Sequence, residues 1–150
     1  NRIEPFAVAK PLHLLVADTG IRSSTKDVVG DVRRQWELDP QSFNEIFADC
    51  GRIADTARQA IEVGDLTQVG QLMTKNHALL QAMTVSSPEL DDLVAAALAA
   101  GALGAKLSGA GRGGNMIALV DAGGETAVYT ALLSAGAKNV LNSVIRRLPI

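Results

Sequence analysis

The chain has a single cysteine, Cys50, so it cannot close a disulfide of its own, and with only His13 and His77 beside it no zinc-type spacing can be drawn. Cys50 sits in a helical pattern and reads as a small buried hydrophobe, with a reactive thiol as the alternative. Aromatic rings are scarce: Phe6, Trp36, Phe43, Phe47 and Tyr129 are all of them. The core must then come from Leu, Val, Ile and Ala, which suits close helix packing. No basic block stands out, and 14 Lys and Arg against 16 Asp and Glu leave a net charge of −2. That excludes nucleic acid or an anionic membrane as the main partner. No apolar run reaches the roughly 20 residues a spanning helix needs, because Gly101 and Gly104 punctuate "LVAAALAAGALGA". No leader pattern opens the chain, and a cytoplasmic protein is expected. The opening "NRIEPFAV" has no initiator Met and reads as already structured, as in a piece of a longer protein.

What remains is a 150-residue chain, 47% hydrophobic and 20% charged, enough for one domain with a real core. "LHLLVAD", residues 12–18, reads as a buried strand ended by Thr19-Gly20. Ser24 with Asp27 three residues on marks a helix start, and Val28, Val29 and Val32 give its apolar stripe. Asp39-Pro40 opens a long amphipathic helix through Phe43, Ile46, Phe47, Cys50, Ile53, Ala54, Ala57 and Ile61, ending near Gly64. Asp65 with Gln68 begins a third helix, and Ser87-Pro88 caps a fourth over 88–100. "GAKLSG" and "NMIALV" read as strands, "GETAVYTALLSAG" as a last helix and "NVLNSVIRRL" as a last strand. This order predicts an α+β fold, an antiparallel sheet carrying two packed helices with extra helices inserted.

Glycine is the exception to these shortages. Gly109, Gly111, Gly113 and Gly114 crowd into "GAGRGG" between the two strands. Such bare backbone reaches φ > 0 and lets main chain approach a ligand. The string matches G-x-G-x-x-G, but it runs into a strand, whereas a dinucleotide site needs a helix there. No Gly-Lys-Ser/Thr closes it as a Walker loop either. Two readings stay open: a flexible hairpin connection, or a nest of main-chain N–H groups for an anion. Lys106 and Arg112 bracket the loop and could add charge, or could simply be solvated.

"GALGAKLSGAGRGGNMIALV" resembles the third signature of the GHMP kinase family, the galactokinase, homoserine, mevalonate and phosphomevalonate kinases. "LLVADTGIRSSTKDVV" and "QLMTKNHALLQAMTVSSPELDDLV" are similar to segments of the C-terminal half of its mevalonate kinase branch. The resemblance covers about residues 10–125. It implies a ferredoxin-like α+β domain and an ATP-dependent transfer of phosphoryl to an alcohol, mevalonate or a relative. It implies Mg²⁺, held mainly by the absent N-terminal half, which would also supply the phosphate loop and the aspartate beside the accepting hydroxyl. The partners implied are that N-terminal half, ATP and the alcohol; a homodimer is left open. This chain alone is then expected to be inactive. Phosphomevalonate kinase, another family member, or a non-catalytic binding domain of the same fold are the rival readings.

By the same match, Ser108, Gly109, Ala110, Gly111, Gly113 and Gly114 would border the ATP phosphates, so Gly111→Val is expected to damage catalysis more than folding. Arg112 replaces a usual glycine and Asn115 a usual cysteine. Arg112 could reach phosphate, reach an acidic neighbour, or point outward. Ser24, Thr25 and Lys26 match the family's S-T-K. Thr25, at a helix N-terminus, is the supporting catalytic candidate, with a passive first-turn residue as the alternative. Ser24 and Lys26, with Asn76 and His77 of the family's N-H, would lie near substrate, although a mid-helix Asn-His pair also reads as a satisfied polar patch. Asp18 reads as orienting the turn, with a general base as the weaker reading.

Overall fold

A computed structural model describes residues 5–146. The elements run β1 (Leu12–Asp18), α1 (Thr25–Leu38), α2 (Pro40–Val63), α3 (Leu66–Ala82), α4 (Pro88–Ala99), β2 (Gly104–Ser108), β3 (Asn115–Val120), α5 (Glu125–Ser134) and β4 (Asn139–Ile145). Caps set the helix starts where the sequence places them. The side chains of Ser24, Asp39, Asp65 and Ser87 accept from the backbone N–H of Asp27, Ser42, Gln68 and Leu90. Pro40 and Pro88 occupy first-turn positions that need no donor. The expected continuation of β4 into Arg147 and Leu148, and the opening Asn1 to Glu4, lie outside the described residues.

The four strands form one antiparallel sheet in the order β2-β3-β1-β4. This is the expected ferredoxin-like α+β arrangement, with α1 to α4 filling the first crossover and α5 the second. Alternation divides the sheet residues between two apolar clusters. Leu15, Ala17, Leu107, Met116, Ala118 and Val140 join Leu90, Leu93 and Val94 of α4 and Val128 and Leu132 of α5. Leu12 and Leu119 meet Ala60 of α2 and Val69 of α3, with Leu14 and Met73 packed alongside. The fully buried positions are Leu, Val, Ala and Met; no isoleucine is among the buried described residues, contrary to the composition-based expectation.

The α3 helix reaches β2 because two glycines meet there. A Cβ on Gly104 would lie 1.9 Å from the Gly70 carbonyl oxygen, and one on Gly70 would lie 2.2 Å from that of Leu103. At this distance α3 side chains serve the outer edge of β2. The Ala105 N–H donates to Thr74 Oγ1 at 3.4 Å, and the Leu107 N–H donates to His77 Nδ1 at 3.2 Å. His77 Nε2 then donates to Asp91 at 3.0 Å, which fixes the neutral tautomer. Burial pushes the His77 pKa down.

Lys106 turns from the loop into a pocket of about 150 Å³ that it shares with Cys50, Ile53, Leu72 and Asn76. Its Nζ donates to the Leu107 carbonyl at 2.9 Å, and desolvation lowers its pKa. Cys50 is half-buried beside it rather than a core residue, and burial raises its pKa.

Candidate phosphate-binding cleft

The β2–β3 connection and the β1–α1 connection face each other across a cleft of about 670 Å³. Asp18, residues 20–23 and Thr25 form one wall; residues 108–111 and 113–115 form the other. The loop that the sequence singles out is thus a cleft wall.

Its backbone explains its composition. Gly109, Gly111, Arg112, Gly113 and Gly114 have φ of +103°, +91°, +54°, +130° and +73°. L-residues pay about 1–2 kcal/mol for such conformations. The loop is hung from both neighbours. Gly114 N–H donates to the Ile21 carbonyl at 2.8 Å, Thr19 N–H and Oγ1 donate to the Gly114 carbonyl, and Ser23 Oγ donates to the Gly111 carbonyl at 2.6 Å. On the far side Arg112 N–H donates to the Val85 carbonyl at 2.8 Å.

The glycines have different tasks. A Cβ on Gly111 would lie 1.9 Å from the Val85 oxygen, and one on Gly113 would lie 2.6 Å from the Ile21 oxygen. A Cβ on Gly109 or Gly114 meets nothing within 4 Å. Gly111 is therefore glycine for folding first, which reverses the expected outcome for Gly111→Val. Gly109 is the exposed backbone that borders the cleft, whereas half-buried Gly114 has its N–H and carbonyl already bonded to Ile21 and Thr19.

The opposite wall begins a helix. Thr25 is the first residue of α1, whose N-terminal amides carry partial positive charge. Arg22 adds a cation to the rim. Asp18 accepts from Gly20 N–H at 2.9 Å, the turn-orienting role read from sequence. The cleft lining thus combines main-chain groups, the hydroxyl residues Ser23 and Thr25, the basic Arg22 and the acidic Asp18.

The structure brings Thr25 and all six glycine-loop candidates to the cleft. Ser24 caps α1, and Lys26 does not line the cleft. His77 and Asn76 lie on α3 away from it, His77 holding β2 and Asn76 donating to Cys50 Sγ at 3.6 Å. Sequence reasoning did not single out Ser23 or Arg22 at the cleft, nor the Thr84-Val85 turn behind the loop. The Ser-Ser-Thr run was the available signal for Ser23; nothing local marked Thr84. A second cleft of about 710 Å³ lies at the other end of β1, by Lys10, His13, Asp65 and Asp121. Its charges are of both signs, and the glycine loop takes no part in it.

Residues 57–138 match the family model described as "GHMP kinases C terminal", more than half of the chain, and the protein belongs to that family. Among its relatives are archaeal mevalonate kinases: that of Pyrococcus horikoshii is 41% identical over 97% of this chain and 44% of its own length. The solved Leishmania major mevalonate kinase in complex with R-mevalonate superposes with a TM-score of 0.91 at 37% identity, over 95% of this chain and 45% of that one. A Streptococcus pneumoniae phosphomevalonate kinase shares the fold, with a TM-score of 0.80 at 18% identity over 95% of this chain and 43% of that one. The chain spans less than half the length of these relatives.

Proposed function

We propose that this chain is the C-terminal part of a mevalonate kinase, transferring the γ-phosphoryl of ATP to the mevalonate hydroxyl in isoprenoid biosynthesis. The observation that carries the reading is the facing of the left-handed glycine loop and the N-terminus of α1 across one cleft. Phosphoryl transfer asks chiefly for positioning and for charge stabilisation, and backbone donors provide both without a side chain that must reorganise.

In this reading the main chain of Ser108, Gly109 and Ala110 stands beside the triphosphate, and Gly114 borders it with its own backbone groups tied to Ile21 and Thr19. Gly111 and Gly113 set the loop's curvature from behind. The Thr25 hydroxyl and the first-turn amides of α1 face the transferred group. ATP supplies the phosphoryl and Mg²⁺ offsets its charge; the metal ligands, the phosphate loop and the base at the accepting hydroxyl belong to the N-terminal half. This half alone is then inactive. A substrate-contacting role for His77 is disfavoured, since both its ring nitrogens are already engaged.

The test is a coupled ADP-release assay of the intact kinase with mevalonate, phosphomevalonate, galactose and homoserine in parallel. Turnover with mevalonate is expected. Preference for another acceptor would replace mevalonate, and no turnover with any of them would favour the non-catalytic binding domain.

A further inference from the structure

The residue that departs from the family's glycine pattern is also the one most heavily tied. Arg112 sits at φ +54°, in the left-handed region, amid four glycines. Its side chain does not line the cleft. It runs backward instead: Nε donates to the Thr84 carbonyl at 3.0 Å, one terminal nitrogen lies 3.4 Å from Thr84 Oγ1, and the other pairs with the Asp31 carboxylate. Thr84 is the other described non-glycine residue at positive φ, +60°, and its hydroxyl accepts from Gln35 Nε2 at 2.9 Å. Asp31 and Gln35 are one turn apart on α1, the helix that brings Thr25 to the cleft. Hydrogen bonding from Arg112 holds the Asp31 carboxyl below its ordinary range, so the pair is charged at neutral pH.

We infer that Arg112 is a positioning residue: with Asp31 and Thr84 it latches the back of the glycine loop to α1, so that the two walls of the cleft move as one body. A glycine in its place would adopt the same φ without strain but would leave the loop fastened only by backbone bonds and the Ser23 and Thr19 hydroxyls. The guanidinium fork is needed because a single ammonium cannot bond Thr84 and Asp31 in one plane. The latch acts on anion binding through the loop and never touches the anion.

This inference rests on the kinase reading for its kinetic arm, and a second arm is independent of it. In the intact kinase, Arg112→Gly and Asp31→Asn are each expected to raise KM for ATP about fivefold to tenfold with kcat within twofold. The double variant should be no worse than Arg112→Gly alone, because both changes undo one latch. Arg112→Lys should recover only part of the loss. Without nucleotide, amide hydrogen exchange over residues 108–115 should be faster in both single variants than in the wild type. Unchanged exchange would overturn the latch even if the wild type phosphorylates none of the acceptors tried, an outcome that would sink the kinase reading separately. A KM effect in Arg112→Gly that Asp31→Asn does not share would overturn it too, by showing that Arg112 reaches the nucleotide itself.

Discussion

Replacing Gly111 by alanine adds one methyl group to the glycine loop, and the structure says where it goes: 1.9 Å from the Val85 carbonyl oxygen and 2.9 Å from its carbon. No rotamer relieves a clash between a Cβ and backbone, so the loop and the α3–α4 turn must separate. Separation weakens the Arg112 N–H bond to Val85 at 2.8 Å and the Ser23 bond to the Gly111 carbonyl at 2.6 Å, about 1 kcal/mol each. A φ of +91° adds about 1–2 kcal/mol for an L-residue. The sum is roughly 3–4 kcal/mol, and at about 2–4 °C per kcal/mol for a domain of this size the melting temperature should fall by about 10 °C. Gly109→Ala is the control, since φ +103° brings the same kind of strain and the methyl meets nothing. It should lower the melting temperature by only about 2–8 °C. Thermal melts followed by circular dichroism read both. Equal shifts for the two variants would refute the reasoning, because Val85 would then not be what holds Gly111 to glycine.

Two further outcomes follow from the same geometry. Burial places the folded-state pKa of His77 below its ordinary 6.5, so the unfolded chain takes up the proton first as pH falls. Stability should therefore be level above about pH 7.5 and decline from about pH 6.5 down to the folded-state pKa; urea midpoints across pH 5–8 should show this slope, and His77→Gln should flatten it. Thr25→Val in the intact kinase should lower kcat about tenfold to a hundredfold, the rate equivalent of a charge-assisted hydrogen bond made in the transition state. Ser24→Ala should instead cost about 1 kcal/mol of stability and leave kcat alone; steady-state kinetics with melts separates the two.

The sequence carries the fold well where the signal is local. Ser24, Asp39, Asp65 and Ser87 each announce a helix that starts at the next residue, and all four side chains make the expected cap bond. The cleft was half legible. Thr25 and the glycine loop follow from motifs, and their convergence follows from β1 pairing with β3, Asp18 opposite Asn115. What local pattern cannot carry is the identity of distant neighbours. Arg112 had three readings, and the choice among them is made by Asp31, 81 positions away in the chain. Lys106 looks from sequence like a loop cation, but alternation along β2 sends it to the opposite side from Leu107 and under α2 and α3. His77 is a site candidate only through its match to the family's N-H, and the alternative, a satisfied polar residue, is what the edge of β2 makes of it.

That edge bears on how the sheet could grow. A border strand offers unpaired N–H groups to any other extended chain. On the β2 border the Ala105 and Leu107 donors are spent on Thr74 and His77. The β4 border has no such helper among the described residues, and Leu141, Val144 and Ile145 of β4 are exposed. Among the described residues β4, not β2, is therefore the uncovered margin of the sheet. Protonation of His77 at Nδ1 would free the Leu107 N–H alone, while α3, packed on β2 through Gly70 and Gly104, still covers that margin, so β4 stays the open side of the sheet in acid as well.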